Sequence, residues 1–138
     1  MPSSTPRLAR SGWWLSAMLL LAVGGTSPAV AQGKLEVQVT GKKYSYTVAG
    51  ANEPEIRVRQ DDLVTVTFAV ADIPHSFTIS DDHYRIDRRA EPGKPVTFRF
   101  RADKVGTFEI RCTLTIDERC LREMRGRLIV SAKTGNRE

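Results

Sequence analysis

The most constraining feature of this sequence is a series of short runs in which apolar and polar residues alternate. Alternation with a period of two gives a strand with one buried and one solvated face, because successive side chains of a strand point in opposite directions. These runs cover residues 35–39, 44–48, 56–59, 63–70, 76–79, 96–100, 107–110 and 127–130. After residue 32 no long stretch repeats its apolar residues with a helical period. The sequence therefore predicts an all-β fold.

Turn-forming residues separate the alternating runs, namely Gly41, Gly50, Pro54, Pro74, Pro92, Gly93 and Gly106. Turn signals at intervals of roughly 8–12 residues are typical of β-sandwiches. The chain after residue 31 has the length of one ordinary domain and contains no internal repeat, low-complexity tract or linker. We expect a single β-sandwich domain over residues 32–138.

The first 31 residues have the organisation of a signal peptide. Arg7 and Arg10 precede an apolar run over residues 13–23, and small residues follow up to Ala31. An uncleaved membrane anchor is the alternative, but the apolar run is shorter than the ~20 residues that a bilayer span requires. We expect cleavage before Gln32, export to the periplasm and no stable membrane span afterwards.

Charge and motifs argue against two large classes of function. Without residues 1–31 the chain keeps 19 of its 21 Lys and Arg against 16 Asp and Glu, a net charge of +3. Basic and acidic residues alternate, and no basic block is interleaved with aromatic residues, so nucleic-acid binding is not indicated. No nucleophile motif or Gly-rich phosphate loop is present. We therefore predict no enzymatic activity of its own.

Four residues stand out as candidate metal ligands: His75, Cys112, Cys120 and Met124. Imidazole, thiolate and thioether together suit copper better than zinc or calcium, because thioether sulfur is a poor ligand for harder ions. His75 begins one predicted strand, Cys112 follows another, and the other two residues precede the last strand. In a sandwich all four can meet at one end of the fold.

With these residues in place, the chain resembles the cupredoxins, and most closely the copper-binding domain of cytochrome oxidase subunit II. The resemblance runs from about Ile56 to Val130 and rests on the motifs Pro74-His75-Ser76-Phe77, Pro92-Gly93, Gly106-Thr107-Phe108 and Met124-Arg125-Gly126. It implies a Greek-key, cupredoxin-like β-sandwich that holds copper for electron transfer outside the cytoplasmic membrane.

The ligand loop departs from the pattern of that family. The position of the family's second cysteine is occupied by Ile116, Cys120 stands where a histidine is expected, and Met124 comes one residue late. These changes favour one copper ion over a two-copper centre. His83 is the other histidine, but we expect it in an acidic turn about 17 Å from His75, one strand length away.

The two cysteines also admit a metal-free interpretation. Cys112 and Cys120 flank one loop in a chain expected in an oxidising compartment, which is typical of a disulfide. The sequence leaves two functions open. One is a copper protein in electron transfer or copper handling, served by an unidentified redox or copper-transfer protein partner. The other is a metal-free interaction module with a Cys112–Cys120 disulfide.

Overall fold

The computed structural model describes Gly25 and residues 33–134. The predicted signal peptide lies outside the described residues, apart from Gly25. The described part contains the following elements: β1 Lys34–Lys42, β2 Ser45–Val48, β3 Glu55–Arg59, β4 Leu63–Val70, β5 His75–Ile79, β6 Ile86–Ala90, β7 Val96–Arg101, β8 Gly106–Arg111, α1 Glu118–Glu123 and β9 Arg125–Ser131. None of its helices has the length and apolar character needed to cross a membrane.

The strands form two sheets. One has four strands in the order β2-β1-β4-β7, and the other has five in the order β3-β9-β8-β5-β6. Most neighbouring strands are antiparallel, but β1 pairs in parallel with β4, and β3 pairs in parallel with β9. The hairpins β1–β2, β5–β6 and β8–β9 each stay within one sheet, whereas the other connections cross from one sheet to the other. This arrangement confirms the predicted β-sandwich.

The core lies between the two sheets and follows the predicted alternation. In β4, every second residue is buried, and Val64, Val66 and Phe68 have no exposed surface. Phe68 packs against Phe77 of the other sheet with ring centroids 5.9 Å apart. Tilted ring pairs of this kind stabilise the packing beyond simple burial of apolar area. The contact therefore joins the two layers at the centre of the domain.

Two elements were not predicted from the sequence. Strand β6 lacks the period-two pattern, because only Ile86 and Ala90 at its ends are buried and three charged residues between them are exposed. It lies at the edge of its sheet, where one neighbour suffices to hold it. Helix α1 occupies part of what we had expected to be a loop, and its six residues are too few to show a period.

The end of β1 packs closely against residues from two other parts of the chain. A Cβ atom on Gly41 would lie 3.0 Å from the Cε atom of Met124 and 3.2 Å from atoms of both Phe68 and Val70. Contacts this short are tighter than ordinary van der Waals packing, so a methyl group would fit only if these side chains shifted by a few tenths of an ångström. Packing therefore favours glycine at this position.

We expect Gly41→Ala to lower the free energy of unfolding by about 1–3 kcal/mol, the usual cost of adding a methyl group to a packed core. Chemical denaturation measures the change. Thr40→Ala, at the exposed neighbouring position of the same strand, is the control. An unchanged or higher stability for Gly41→Ala would contradict the packing argument.

Candidate metal centre

The strand order brings the predicted ligands to one end of the sandwich. Strands β5 and β8 are antiparallel neighbours, so His75 at the start of β5 lies near Cys112, which follows the end of β8. Helix α1 then carries Cys120 back over the same end. All three side chains are buried, and their ligand atoms lie within 4.8 Å of one another.

His75 is oriented by a neighbouring carboxylate. Its side chain has no exposed surface, and its Nε2 atom lies 3.0 Å from Oδ1 of Asp72. With the proton on Nε2 donated to Asp72, the lone pair of Nδ1 points toward Cys120 Sγ, 3.6 Å away. Such a carboxylate commonly fixes the tautomer and the ring direction of a metal-binding histidine.

Asp72 is itself held by two backbone N–H groups. Its Oδ1 accepts from Ile73 at 2.8 Å, and its Oδ2 accepts from Lys43 at 2.9 Å. Desolvation acts to raise the pKa of Asp72, but these hydrogen bonds and the contact with His75 outweigh it and lower the pKa. The carboxylate is therefore charged at neutral pH and can keep the imidazole in place.

Cys112 lies in a polar part of the core. The N–H of Ser76 points at its Sγ atom at 3.5 Å. Behind it, the hydroxyl oxygens of Ser76, Thr78 and Thr113 lie 3.1 to 3.2 Å apart, and Ser76 Oγ accepts from the N–H of Thr113 at 2.8 Å. This network connects Ser76 to Thr113, the residue after Cys112, and so fixes the position of the Cys112 sulfur.

Met124 is the C-cap of α1 and lies beside Cys112. Its carbonyl oxygen accepts from the N–H of Cys112 at 3.4 Å, and its side chain is fully buried with its methyl group against Gly41. The residue is therefore at the end of the sandwich that holds His75 and both cysteines. That its sulfur acts as a ligand stays a prediction.

The two cysteines form a disulfide, with their Cα atoms 5.4 Å apart. This is the state that the metal-free interpretation predicts. Because thiolates and not disulfide sulfurs are the metal ligands, the bridge and a two-thiolate metal site exclude each other. The same three side chains thus provide two alternative arrangements, selected by the oxidation state of the cysteines.

His83 is placed away from this group. It lies in the turn that follows β5, where its N–H donates to Asp81 Oδ1 at 2.9 Å and its Nε2 contacts Asp103 Oδ1 at 2.6 Å. His75 begins β5, so the two histidines flank opposite ends of the same strand. His83 is 44% exposed, and this placement agrees with the expected solvated histidine in an acidic turn.

The sequence analysis missed the residues that surround the ligands. Asp72 precedes His75 by three positions, and a carboxylate so close to a candidate histidine is a signal that could have been used. Asp117 lies in the segment between the two cysteines that the sequence predicts as a loop, and it caps α1 by accepting from the N–H of Arg119 at 2.9 Å. The N–H of Ser76 carries no sequence signal, because every residue except proline has a backbone N–H.

No family model matches the chain. Cytochrome c oxidase subunit 2 of Thermostichus vulcanus is 36% identical over an alignment of 95 residues that covers 64% of this chain and 28% of that protein. The chain therefore spans less than a third of the length of this relative.

Solved structures share the architecture. The periplasmic domain of subunit II of cytochrome oxidase from Bradyrhizobium japonicum matches with a TM-score of 0.60 and 20% identity, over 76% of this chain and 89% of that chain. Auracyanin A, a blue copper protein from Chloroflexus aurantiacus, matches with a TM-score of 0.57 and 17% identity, over 72% of this chain and all of that one.

The chain is a cupredoxin-like domain related to cytochrome c oxidase subunit 2. The resemblance inferred from the motifs around His75 and Met124 is thereby confirmed. The predicted cupredoxin-like sandwich is confirmed by the same comparisons and by the two sheets. The ligand set itself stays a prediction.

The contribution of the disulfide to the stability of the domain can be measured. It closes a short loop with a sequence separation of 8, and its reduction should lower the free energy of unfolding by about 2–3 kcal/mol in the chain-entropy account. Denaturation with and without dithiothreitol, in the absence of metal, measures this loss. The variant Cys112→Ala/Cys120→Ala should not respond to the reductant. If the unsubstituted protein also fails to respond, the cysteines are not bridged in solution.

Proposed function

We propose that the domain, once its cysteines are reduced, binds one copper ion that His75, Cys112 and Cys120 would hold, and to which Met124 would add a weaker thioether donor. The observation that carries the proposal is the meeting of one imidazole and two sulfur atoms within 4.8 Å in a buried site. The imidazole is oriented by Asp72, so that Nδ1 faces the sulfurs.

The donor set fits copper in its chemistry. Nδ1 of His75 lies 3.6 Å from Cys120 Sγ while the two cysteines are bridged, so the imidazole already faces the sulfurs that reduction would free. Two thiolates with an imidazole and a thioether favour the softer Cu(I) ion.

Each of the surrounding residues has a defined part in this function. Asp72 keeps the proton of His75 on Nε2, and the N–H of Ser76 stabilises negative charge on Cys112 Sγ. Burial of the three ligands excludes water from the site. Copper, when bound, supplies one-electron transfer between Cu(I) and Cu(II).

We infer that the domain acts in electron transfer or copper handling and is not itself an enzyme. Its relative is an oxidase subunit, and its structural neighbours include a blue copper protein. The partner is then a redox protein or a copper-transfer protein. We also propose that residues 1–31 are removed on export and that residues 32–138 work in the periplasm, as the name of the B. japonicum domain states for that protein.

A second candidate function rests on the disulfide between Cys112 and Cys120. A bridged domain holds no thiolate, and it would act as a metal-free interaction module. The two candidates differ in the state of the cysteines in the exported protein. A thiol count on protein purified from the periplasm distinguishes them, because only the copper protein needs both thiols free.

The copper site is tested by loading the reduced protein with Cu(I) in the absence of oxygen, followed by metal analysis. We expect one copper per chain, and we expect Cys112→Ser to lose stoichiometric binding because a hydroxyl group is a poor ligand for Cu(I). His83→Ala is the matched control and should keep its copper, since His83 contacts Asp103 and not the site. Full copper content in Cys112→Ser, or none in the unsubstituted protein, would refute the proposal.

The role of Met124 is tested separately by Met124→Leu. A thioether would bind copper more weakly than thiolate or imidazole, so this variant should retain copper but show a shifted reduction potential. If Met124 only fills the core, the swap costs under ~1.5 kcal/mol of stability and leaves the potential unchanged. Leu128→Met, the reverse swap at another fully buried position, controls for packing. Equal potentials in the Met124→Leu and unsubstituted proteins remove Met124 from the ligand set.

A further inference from the structure

The turn between β1 and β2 contacts both sides of the candidate metal centre. On one side, the N–H of Lys43 donates to Asp72 Oδ2 at 2.9 Å, and Asp72 in turn holds His75. On the other side, the hydroxyl of Tyr44 donates to Asp117 Oδ2 at 2.8 Å. Two successive residues of one turn therefore reach the segment that carries the imidazole and the segment that carries Cys120.

Tyr44 has a conformation that few non-glycine residues adopt. Its φ angle is 93°, in the left-handed region where a Cβ atom is unfavourable. Residues persist in such conformations only when their surroundings hold them there. The side chain of Tyr44 is held on its edge by Asp117 and on its face by Arg119, whose guanidinium lies 4.1 Å from the ring centroid.

Both of these partners belong to the segment around Cys120. Asp117 is the N-cap of α1, and its carbonyl oxygen accepts from the N–H of Cys120 at 3.1 Å. Arg119 lies within α1 and forms two hydrogen bonds of 2.9 Å with Glu123 at the end of the helix. Tyr44 is thus bonded to the start of α1 and, through Arg119, to its end.

The disulfide below α1 is closed to solvent. Cys112 is 0% and Cys120 is 1% exposed. Thiol–disulfide exchange requires a thiolate to reach one of the sulfurs directly, so a part of the fold must move first. Cys112 follows β8, which is held by the ladder with β9. Helix α1, with six residues and only Cys120 buried, is the segment that can move at the smaller cost.

We propose that the Tyr44–Asp117 hydrogen bond is a clasp that holds α1 over the Cys112–Cys120 disulfide, and that its release admits a dithiol reductant. The thiolate of the reductant attacks Cys120 Sγ, and Cys112 Sγ leaves as a thiolate beside the N–H of Ser76. The second thiol of the reductant then displaces Cys120. The reductant loses two electrons and becomes a disulfide, while the protein gains two thiols.

The later entry of copper through the same opening rests on the proposed function, but the clasp itself does not. The clasp affects the rate at which the disulfide is reduced. That rate can be measured in protein that has never held a metal.

The test compares the rate constants for reduction by dithiothreitol in Tyr44→Phe and in the unsubstituted protein. Phenylalanine keeps the ring under Arg119 and removes only the hydrogen bond to a charged group, so we expect reduction to be faster by about tenfold or more. Tyr84→Phe is the control at a tyrosine away from α1, whose hydroxyl donates to the carbonyl of Lys104 at 2.7 Å and accepts from the N–H of the same residue at 3.1 Å. Its rate should stay within about twofold of the unsubstituted protein.

Hydrogen exchange provides a second measurement. Amides of residues 118–123 should exchange faster in Tyr44→Phe, whereas amides of β4 should not change. The clasp proposal is overturned if Tyr44→Phe and Tyr84→Phe are reduced at equal rates, or if amide exchange in Tyr44→Phe is faster throughout the domain. Copper loading of the reduced protein is scored separately, so a protein that binds no copper but shows the rate increase refutes the proposed function and leaves the clasp supported.

Discussion

The hydrogen bond between Asp72 and His75 is the interaction on which the candidate site depends. A fully buried imidazole needs partners for its nitrogen atoms, because an unsatisfied polar group in the core is costly. Asp72 occupies Nε2 and leaves Nδ1 directed at the sulfur of Cys120. Since Asp72 is held by the backbone of Lys43, the position of His75 is set by the turn between β1 and β2.

The sandwich explains how residues far apart in sequence reach this place. The antiparallel pairing of β5 with β8 brings the start of one strand to the end of the other, and the connection from β8 to β9 must cross that same end. Rigid strands therefore carry His75 and precede Cys112, while the short helix α1 carries Cys120. The fold thus places two of the candidate ligands at fixed positions and the third on a short helix in which only Cys120 is buried.

The chemistry of the site follows from the closeness of the two cysteines. Side chains near enough to share a metal are also near enough to form a bond with each other, and an oxidising compartment favours the bond. The disulfide stabilises the folded chain, whereas a thiolate pair would provide the donors of the proposed copper site. Access to the sulfurs consequently decides which state is reached, and α1 with its contact to Tyr44 controls that access.

The sequence by itself determined the β class, most strands and the candidate ligands, because period-two alternation and the residue types at positions 75, 112, 120 and 124 are local signals. It missed β6, whose charged residues are tolerated at a sheet edge, and α1, which is too short to have a period. Only the tertiary structure decided that Lys43 and Tyr44 support the site. Their partners lie 29 and 73 residues away, and contacts between distant segments leave no pattern in a single sequence.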